Sequence, residues 1–315
     1  MSRKEPGWIG ELVGLLRVAP GTEVKLSDDF DPAFTADFVE KNEGTELLAE
    51  SVQLLASYQE RLWAQDTNGV LLCLQGIDAA GKDSTIRHVM SGVNPQGVHV
   101  SSFKVPSTEE LSHDYLWRYA NRLPARGEIA IFNRSYYEEV LVVRVHPELL
   151  ERQHLPPGAK DKDLWKRRFA EINDWERYLT DNGLRVLKVF LNLSKEEQRR
   201  RFLRRLDLPD HHWKFSASDA RERRYWDDYQ AAFSDMLSHT STKAAPWYVI
   251  PADHKWFARI CVGAVMVHTL MELDPHYPEV TGEQVREERA ARKALMAEAP
   301  PGAPDDPVAS GTSGA

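Results

Sequence analysis

Val70-Leu71-Leu72-Cys73-Leu74, then Gly76-Ile77-Asp78-Ala79-Ala80-Gly81-Lys82-Asp83-Ser84, then Thr85-Ile86-Arg87-His88-Val89-Met90 is the stretch that decides the fold. It reads as a buried strand, a glycine-bounded loop and a helix, the setting in which a phosphate-binding loop makes physical sense. Glycines at both ends let the backbone wrap so that successive N–H groups point at anionic oxygens. The helix behind adds its positive N-terminal end, and Lys82 a point charge. The spacing is Gly-x4-Gly-Lys, with Asp83 where a Ser or Thr is usual and a further carboxylate, Asp78, inside the loop. The phosphate-binding set is therefore Gly76, Ala79, Ala80, Gly81, Lys82, Asp83 and Ser84.

The two acids carry the most information. A carboxylate inside a phosphate cradle repels its own ligand unless a cation lies between them, so the loop calls for Mg²⁺, with Asp78 as its ligand. The plainer account is an ordinary βα turn with an exposed Asp. The strand before, the helix after and the lysine at its offset make that account the weaker one.

Moving outward, the 315 residues are 42% hydrophobic and 28% charged, enough for a real core and in keeping with a soluble globular protein. A formal charge of −8 argues against a general nucleic-acid binder. No apolar run is expected to span a bilayer, and the start, Met1-Ser2-Arg3-Lys4-Glu5-Pro6, lacks the apolar stretch of a signal peptide, so a cytoplasmic protein is expected. Cys73 and Cys261 fall in apolar segments and read as buried thiols.

Residues 1–44 read as an irregular or lightly helical lead. Thr45 is placed to cap a helix running to about Ala64. Further strands are expected at 98–103, 128–132, 185–191 and 247–250, and helices from Ser107 or Thr108 through Tyr119, over 161–183, after the capping pair Ser194 and Glu197, and over 256–273. From about 282 the chain turns charged and then rich in Ala, Pro, Gly and Ser, which reads as a mobile tail without a packed core over 282–315. Strands alternating with helices predict a parallel sheet covered on both faces, with ligands beyond the carboxyl ends of its strands. Three polar clusters fall at those ends: the loop, Lys104-Val105-Pro106-Ser107 and Asn133-Arg134-Ser135.

Residues 199–224 hold nine Lys/Arg against four acids, +5 in a chain of net −8. Arg201 and Arg205 lie one helical turn apart. A solvated basic face is the bland account; a phosphoryl-transfer site, though, needs mobile cations that close over the transferring group. His211 and His212 read as part of a loop rather than a metal site, and His146, lacking a partner in the sequence, as structural.

Taken together, these motifs resemble the family-2 polyphosphate kinases, from about residue 45 to 273. The likeness rests on the loop at 76–83, Ser-Phe-Lys-Val-Pro-Ser at 102–107 and Phe-Asn-Arg-Ser-Tyr-Tyr-Glu-Glu-Val at 132–140. It continues in Glu-Glu-Gln-Arg-Arg-Arg-Phe at 196–202, Trp-Lys-Phe-Ser at 213–216 and Ala-Pro-Trp-Tyr-Val at 245–249. The resemblance implies a three-layer α/β/α P-loop kinase fold, thymidylate-kinase-like, at 45–281 with a helical lid at about 199–224. It implies Mg²⁺ as cofactor, inorganic polyphosphate and adenine or guanine nucleotides as substrates, and homo-oligomers; charge and composition add the expectation of no nucleic acid or membrane partner. Carried over by position, Asp78, Lys82, Arg134, Arg201 and Arg205 are catalytic; Lys104 and Lys214 bind phosphate; Asn133, Arg134 and Glu138 bind the nucleotide. Asn133 stands where members acting on diphosphates tend to carry Asp, a form more like members that accept monophosphates as well. An ATP-dependent nucleoside monophosphate kinase and a non-catalytic nucleotide or polyphosphate sensor are the rival readings.

Overall fold

A computed structural model of the chain describes residues 6–36, 41–214, 216–298 and 300. Five strands, β1 (Gly69–Gly76), β2 (Val98–Ser102), β3 (Ile129–Asn133), β4 (Leu184–Asn192) and β5 (Trp247–Pro251), form one sheet in the order β2-β3-β1-β4-β5. Every pairing is parallel, with Cys73 of β1 opposite Phe132 on one side and Lys188 on the other. β1 is central, and its neighbours β3 and β4 lead to opposite edges. A crevice therefore opens at the carboxyl end of β1, where the glycine loop sits.

Around the sheet lie α1 (Gly7–Leu16), α2 (Gly44–Gln65), α3 (Lys82–Val89), α4 (Leu164–Asp181), α5 (Lys195–Asp207), α6 (Ala217–Glu222), α7 (Trp226–Thr240) and α8 (Lys255–Leu273). Side chains of β1 alternate between two cores. Val70, Leu72 and Leu74 pack with α1, α2 and α8 through Leu12, Leu55, Tyr58 and Val265; Leu71 and Cys73 pack with α4 and α7 through Ile172 and Phe233. Burial on both faces is why the strand reads as an unbroken apolar run. The three-layer α/β/α architecture is as expected.

Several local expectations need correction. The lead holds α1, whose Ile9, Leu12, Val13 and Leu16 are at most 2% exposed, so it belongs to the same core. The chain to His276 is one unit, without a boundary near residue 44. Gly10 and Gly14 mask an i, i+3, i+4, i+7 apolar pattern that is otherwise plain. α2 starts at Gly44, with Glu43 rather than Thr45 at its N-cap. The helix expected through Tyr119 is two single turns, Thr108–Leu111 and Trp117–Ala120, the first closed by a Ser107–Glu110 capping box. α8 has the length and mean hydropathy, 1.3, of a membrane span, contrary to the sequence reading. Its apolar residues are buried against α1, α2 and the sheet.

From Tyr277 the chain forms a second unit. There α9 (Gly282–Ala297) opens on a Thr281–Gln284 capping box and buries no side chain. Its Ala, Glu and Arg content, with Glu288 and Arg292 a turn apart, favours a helix even without a core, which a reading of this segment as mobile tail overlooks. Residues 301–315 lie outside those described.

Candidate functional site

The loop 76–84 is built on three residues with positive φ: Gly76 at +156°, Ala79 at +66° and Gly81 at +108°. A Cβ on Gly76 would lie 3.1 Å from the Leu191 carbonyl oxygen, so glycine is required there on two counts. Gly81 caps α3, aiming that helix's unpaired N–H groups into the crevice. A cleft of about 1260 Å³ opens above them. Every site residue singled out in the sequence lines it except Gly76, Ala80 and Lys214. Gly76 and Ala80 form the base of the loop, and the side chain of Lys214 lies outside those described. Among the described residues, eleven Lys/Arg side chains face six Asp/Glu in the lining, a field suited to a polyanion.

At the floor, Lys82 is 9% exposed and donates from Nζ to the carbonyls of Gly76 (2.6 Å) and Ile77 (3.3 Å). Burial, reinforced by the nearby Arg134 charge, lowers its pKa to about 8. Arg134 has φ +65°, an uncommon conformation for a side-chain-bearing residue. Its backbone N–H continues the sheet by donating to the Leu74 carbonyl at 3.1 Å, and the left-handed turn swings its side chain across the crevice. There Nη2 donates to Asp78 Oδ1 at 2.6 Å and Nη1 to Glu138 Oε2 at 3.0 Å. The Glu138 carboxylate, followed by burial and Asp78, sets the guanidinium's pKa, which ends above its ordinary value. Gln75, oriented so that both ends of its amide have partners, donates to Glu138 Oε1 at 3.0 Å and accepts from Ser135 N at 3.0 Å. Asn133 donates to Asp83 Oδ1 at 2.6 Å, so the neutral residue at the end of β3 fixes the second loop acid.

The basic segment divides. Arg201 edges the cleft but is only 6% exposed, its guanidinium turned under the loop. Its Nη1 donates to the carbonyls of Ala79 (3.0 Å) and Ala80 (2.9 Å), its Nη2 to those of Ala252 (2.5 Å) and Asp253 (3.1 Å), and its Nε to Glu197 (2.9 Å). Four of its five donors pin the loop to the β5–α8 turn and the fifth goes to Glu197, which corrects its assignment to the lid. Glu197, needed for this pin, does not complete a capping box: Ser194 Oγ accepts from Glu197 N, but Ser194 N donates to Asp253. Gln198 adds a second pin, donating to the Asp78 carbonyl at 2.9 Å. Arg205 faces the cleft, 3.9 Å from Asp219 of α6. His146, for which the sequence offered no partner, has two: Glu222 at the end of α6 through Nε2 and Glu148 through Nδ1 (3.3 Å).

Sequence reasoning missed Arg118, Arg152, Arg168, Lys255 and Arg259, which line the cleft together with Arg204 of the basic segment. The missed residues come from four segments, Lys255 and Arg259 sharing the apolar helix α8, from which Arg259 donates to Ser84 Oγ at 3.0 Å. Folding alone brings such residues together.

A phosphate loop, an acid facing an arginine across it and a basic cleft suit phosphoryl transfer between anions. The model of the family polyphosphate kinase 2 matches residues 38–278. A Rhodopseudomonas palustris protein called ADP-polyphosphate phosphotransferase is 48% identical over 89% of this chain and 97% of its own length. A Meiothermus ruber protein called AMP/ADP-polyphosphate phosphotransferase is 45% identical over 84% of this chain and 94% of its own. The crystal structure of polyphosphate kinase 2 from Arthrobacter aurescens TC1 superposes with a TM-score of 0.81 at 41% identity, covering 91% of this chain and 97% of that one. With loop, sheet order and relatives in agreement, the chain belongs to the polyphosphate kinase 2 family.

Proposed function

We propose that this polyphosphate-dependent nucleotide phosphotransferase takes AMP as well as ADP as acceptor, using Asp78, Lys82 and Arg134 at the reacting phosphates. The observation that carries the acceptor reading is the hydrogen bond from Asn133 to Asp83. A neutral side chain there keeps Asp83 in the loop and adds no carboxylate at the end of β3. The accepting phosphate is then not fixed by a charge at 133, and the nucleoside can shift along the cleft by one phosphate.

Mg²⁺ fits the residues present. Among the described residues no group of three or more His, Cys, Asp or Glu forms a metal cage, while Asp78 and Asp83 flank the phosphate cradle. One or two carboxylates, completed by water and substrate phosphates, is the usual coordination of this ion. When bound at Asp78, it screens the repulsion between donor and acceptor.

The protein's own part is positioning and charge. Lys82 exchanges its loop carbonyls for oxygens of the transferring phosphoryl, and the amides of the loop and of the start of α3 hold the others. Contact with a phosphate restores the proton affinity that burial removes from Lys82. Arg134, held by Glu138, neutralises charge on the phosphates opposite Asp78. Arg205 and Lys214 receive the leaving polyphosphate, whose charge grows as the bond breaks. Arg201 and Gln198 keep the loop in its binding shape. An acceptor phosphate oxygen attacks the terminal phosphorus, and the shortened chain leaves with the bond's electron pair; no covalent enzyme intermediate is required. Omitting ATP tests this against an ATP-dependent monophosphate kinase or a sensor: ADP formed from AMP and polyphosphate alone supports it, and no turnover refutes it.

A further inference from the structure

Beneath the site, between the sheet and the helices α4 and α7, is a polar cluster that the phosphoryl chemistry does not touch. Lys188 of β4 is 0% exposed, and Glu176 of α4 is 1% exposed. Nζ of Lys188 donates to Glu176 Oε2 (2.7 Å), to the Tyr137 hydroxyl (2.9 Å) and to the Thr240 carbonyl (2.5 Å). The other Glu176 oxygen, Oε1, accepts from the hydroxyls of both Tyr136 (2.6 Å) and Tyr137 (2.7 Å). Cys73 donates to the Tyr136 hydroxyl at 3.5 Å. Each polar hydrogen in this cluster has an acceptor.

A fully buried ion pair adds little to stability over apolar residues of the same volume, so stability alone does not account for it. Its geometry does. Tyr136 and Tyr137 are neighbours in sequence, and in a strand they would point to opposite faces. Two adjacent hydroxyls meet one oxygen only if the chain turns tightly between them, as in the 3-10 turn Tyr136–Glu139. That turn carries Glu138 and is separated from Arg134 only by its N-cap, Ser135. Arg134 sits in an uncommon conformation that its surroundings must impose.

We infer that the buried Glu176–Lys188 pair is a positioning device for the known reaction: by gripping the hydroxyls of Tyr136 and Tyr137 it sets the turn that aims Glu138 and Arg134 at Asp78. Lys188 and Glu176 touch no substrate; they act through Arg134. The inference rests on the proposed role of Arg134 in the cleft.

The test is a mutant cycle on polyphosphate-dependent turnover, combining Tyr136→Phe/Tyr137→Phe with Arg134→Ala. Removing the two hydroxyls leaves the Glu176–Lys188 pair intact. If the double variant does not fold, Tyr137→Phe alone is used, and circular dichroism checks folding throughout. In the native background the hydroxyl-less enzyme is expected to lose about 10- to 100-fold in kcat, as a misplaced catalytic group does, with KM for both substrates changed less than about threefold. In the Arg134→Ala background the same change is expected to cost less than about twofold, because the group being positioned is gone. Equal fold-losses in both backgrounds overturn the inference and leave the site assignment standing. Unchanged turnover in Arg134→Ala itself overturns the site assignment and the inference with it.

Discussion

Arg201→Ala separates two accounts of the basic segment, because a lid arginine and a loop pin fail differently. The guanidinium donates to four backbone carbonyls, at Ala79, Ala80, Ala252 and Asp253, and to Glu197. Truncation strips these acceptors at a position only 6% exposed, leaving little room for water to replace the fork. Each buried acceptor left unmade costs about 1–3 kcal/mol taken singly. They share one donor group and do not add, and removing one partner of a buried charged pair costs about 3–5 kcal/mol in total. For a domain of this size that lowers Tm by about 6–12 °C. Calorimetry or intrinsic tryptophan fluorescence gives the melting shift, and turnover at a temperature where the variant is fully folded gives the functional loss. Both should fall, with KM for nucleotide and for polyphosphate rising together, because both substrates need the loop. A Tm within about 2 °C of the parent, with only polyphosphate KM raised, would refute the pin and restore the lid role.

Three further outcomes follow from the site's charges. Lys82→Ala removes the charge at the transferring phosphoryl and should cut kcat by about 10²- to 10³-fold with the fold intact by circular dichroism; near-parental turnover contradicts the loop assignment. In the parent, burial lowers the Lys82 pKa to about 8, so its charge is present at pH 7 and lost as pH rises through about 8. kcat/KM, which reports the free enzyme, should fall there and not near the 10.5 of an ordinary lysine; a profile flat to pH 9.5 would speak against it. Finally, if Arg205 and Lys214 hold a long polyanion, polyphosphate KM should climb more steeply with ionic strength than nucleotide KM, and equal slopes would mark the segment as a solvated face.

Much of this could be read in the residues because of how parallel sheets bury their strands. β1 and β3 are covered on both faces, so each appears as a short apolar run, and Gly-x4-Gly-Lys between strand and helix admits few other folds. What escaped was set by distance in the chain. Arg201 and Arg205 share a helix face in the sequence, and both border the cleft, yet Arg201 spends its guanidinium on the carbonyls beneath the loop while Arg205 lies 3.9 Å from Asp219. Only the fold, by bringing the Ala79 and Ala252 carbonyls together, shows which. The partner of Asp78 is 56 residues away, and Glu222 lies 76 residues from His146. α1 was obscured by two glycines whose helix cost is repaid by packing on α8.

In the proposed reading, one cleft moves phosphoryl groups from polyphosphate onto both AMP and ADP. A time course with AMP, polyphosphate and Mg²⁺, and no other high-energy phosphate, measures it directly. ADP should rise first and ATP follow after a lag, both lost in Lys82→Ala. ADP converted rapidly while AMP stays inert would contradict the reading of Asn133 and make the enzyme diphosphate-specific.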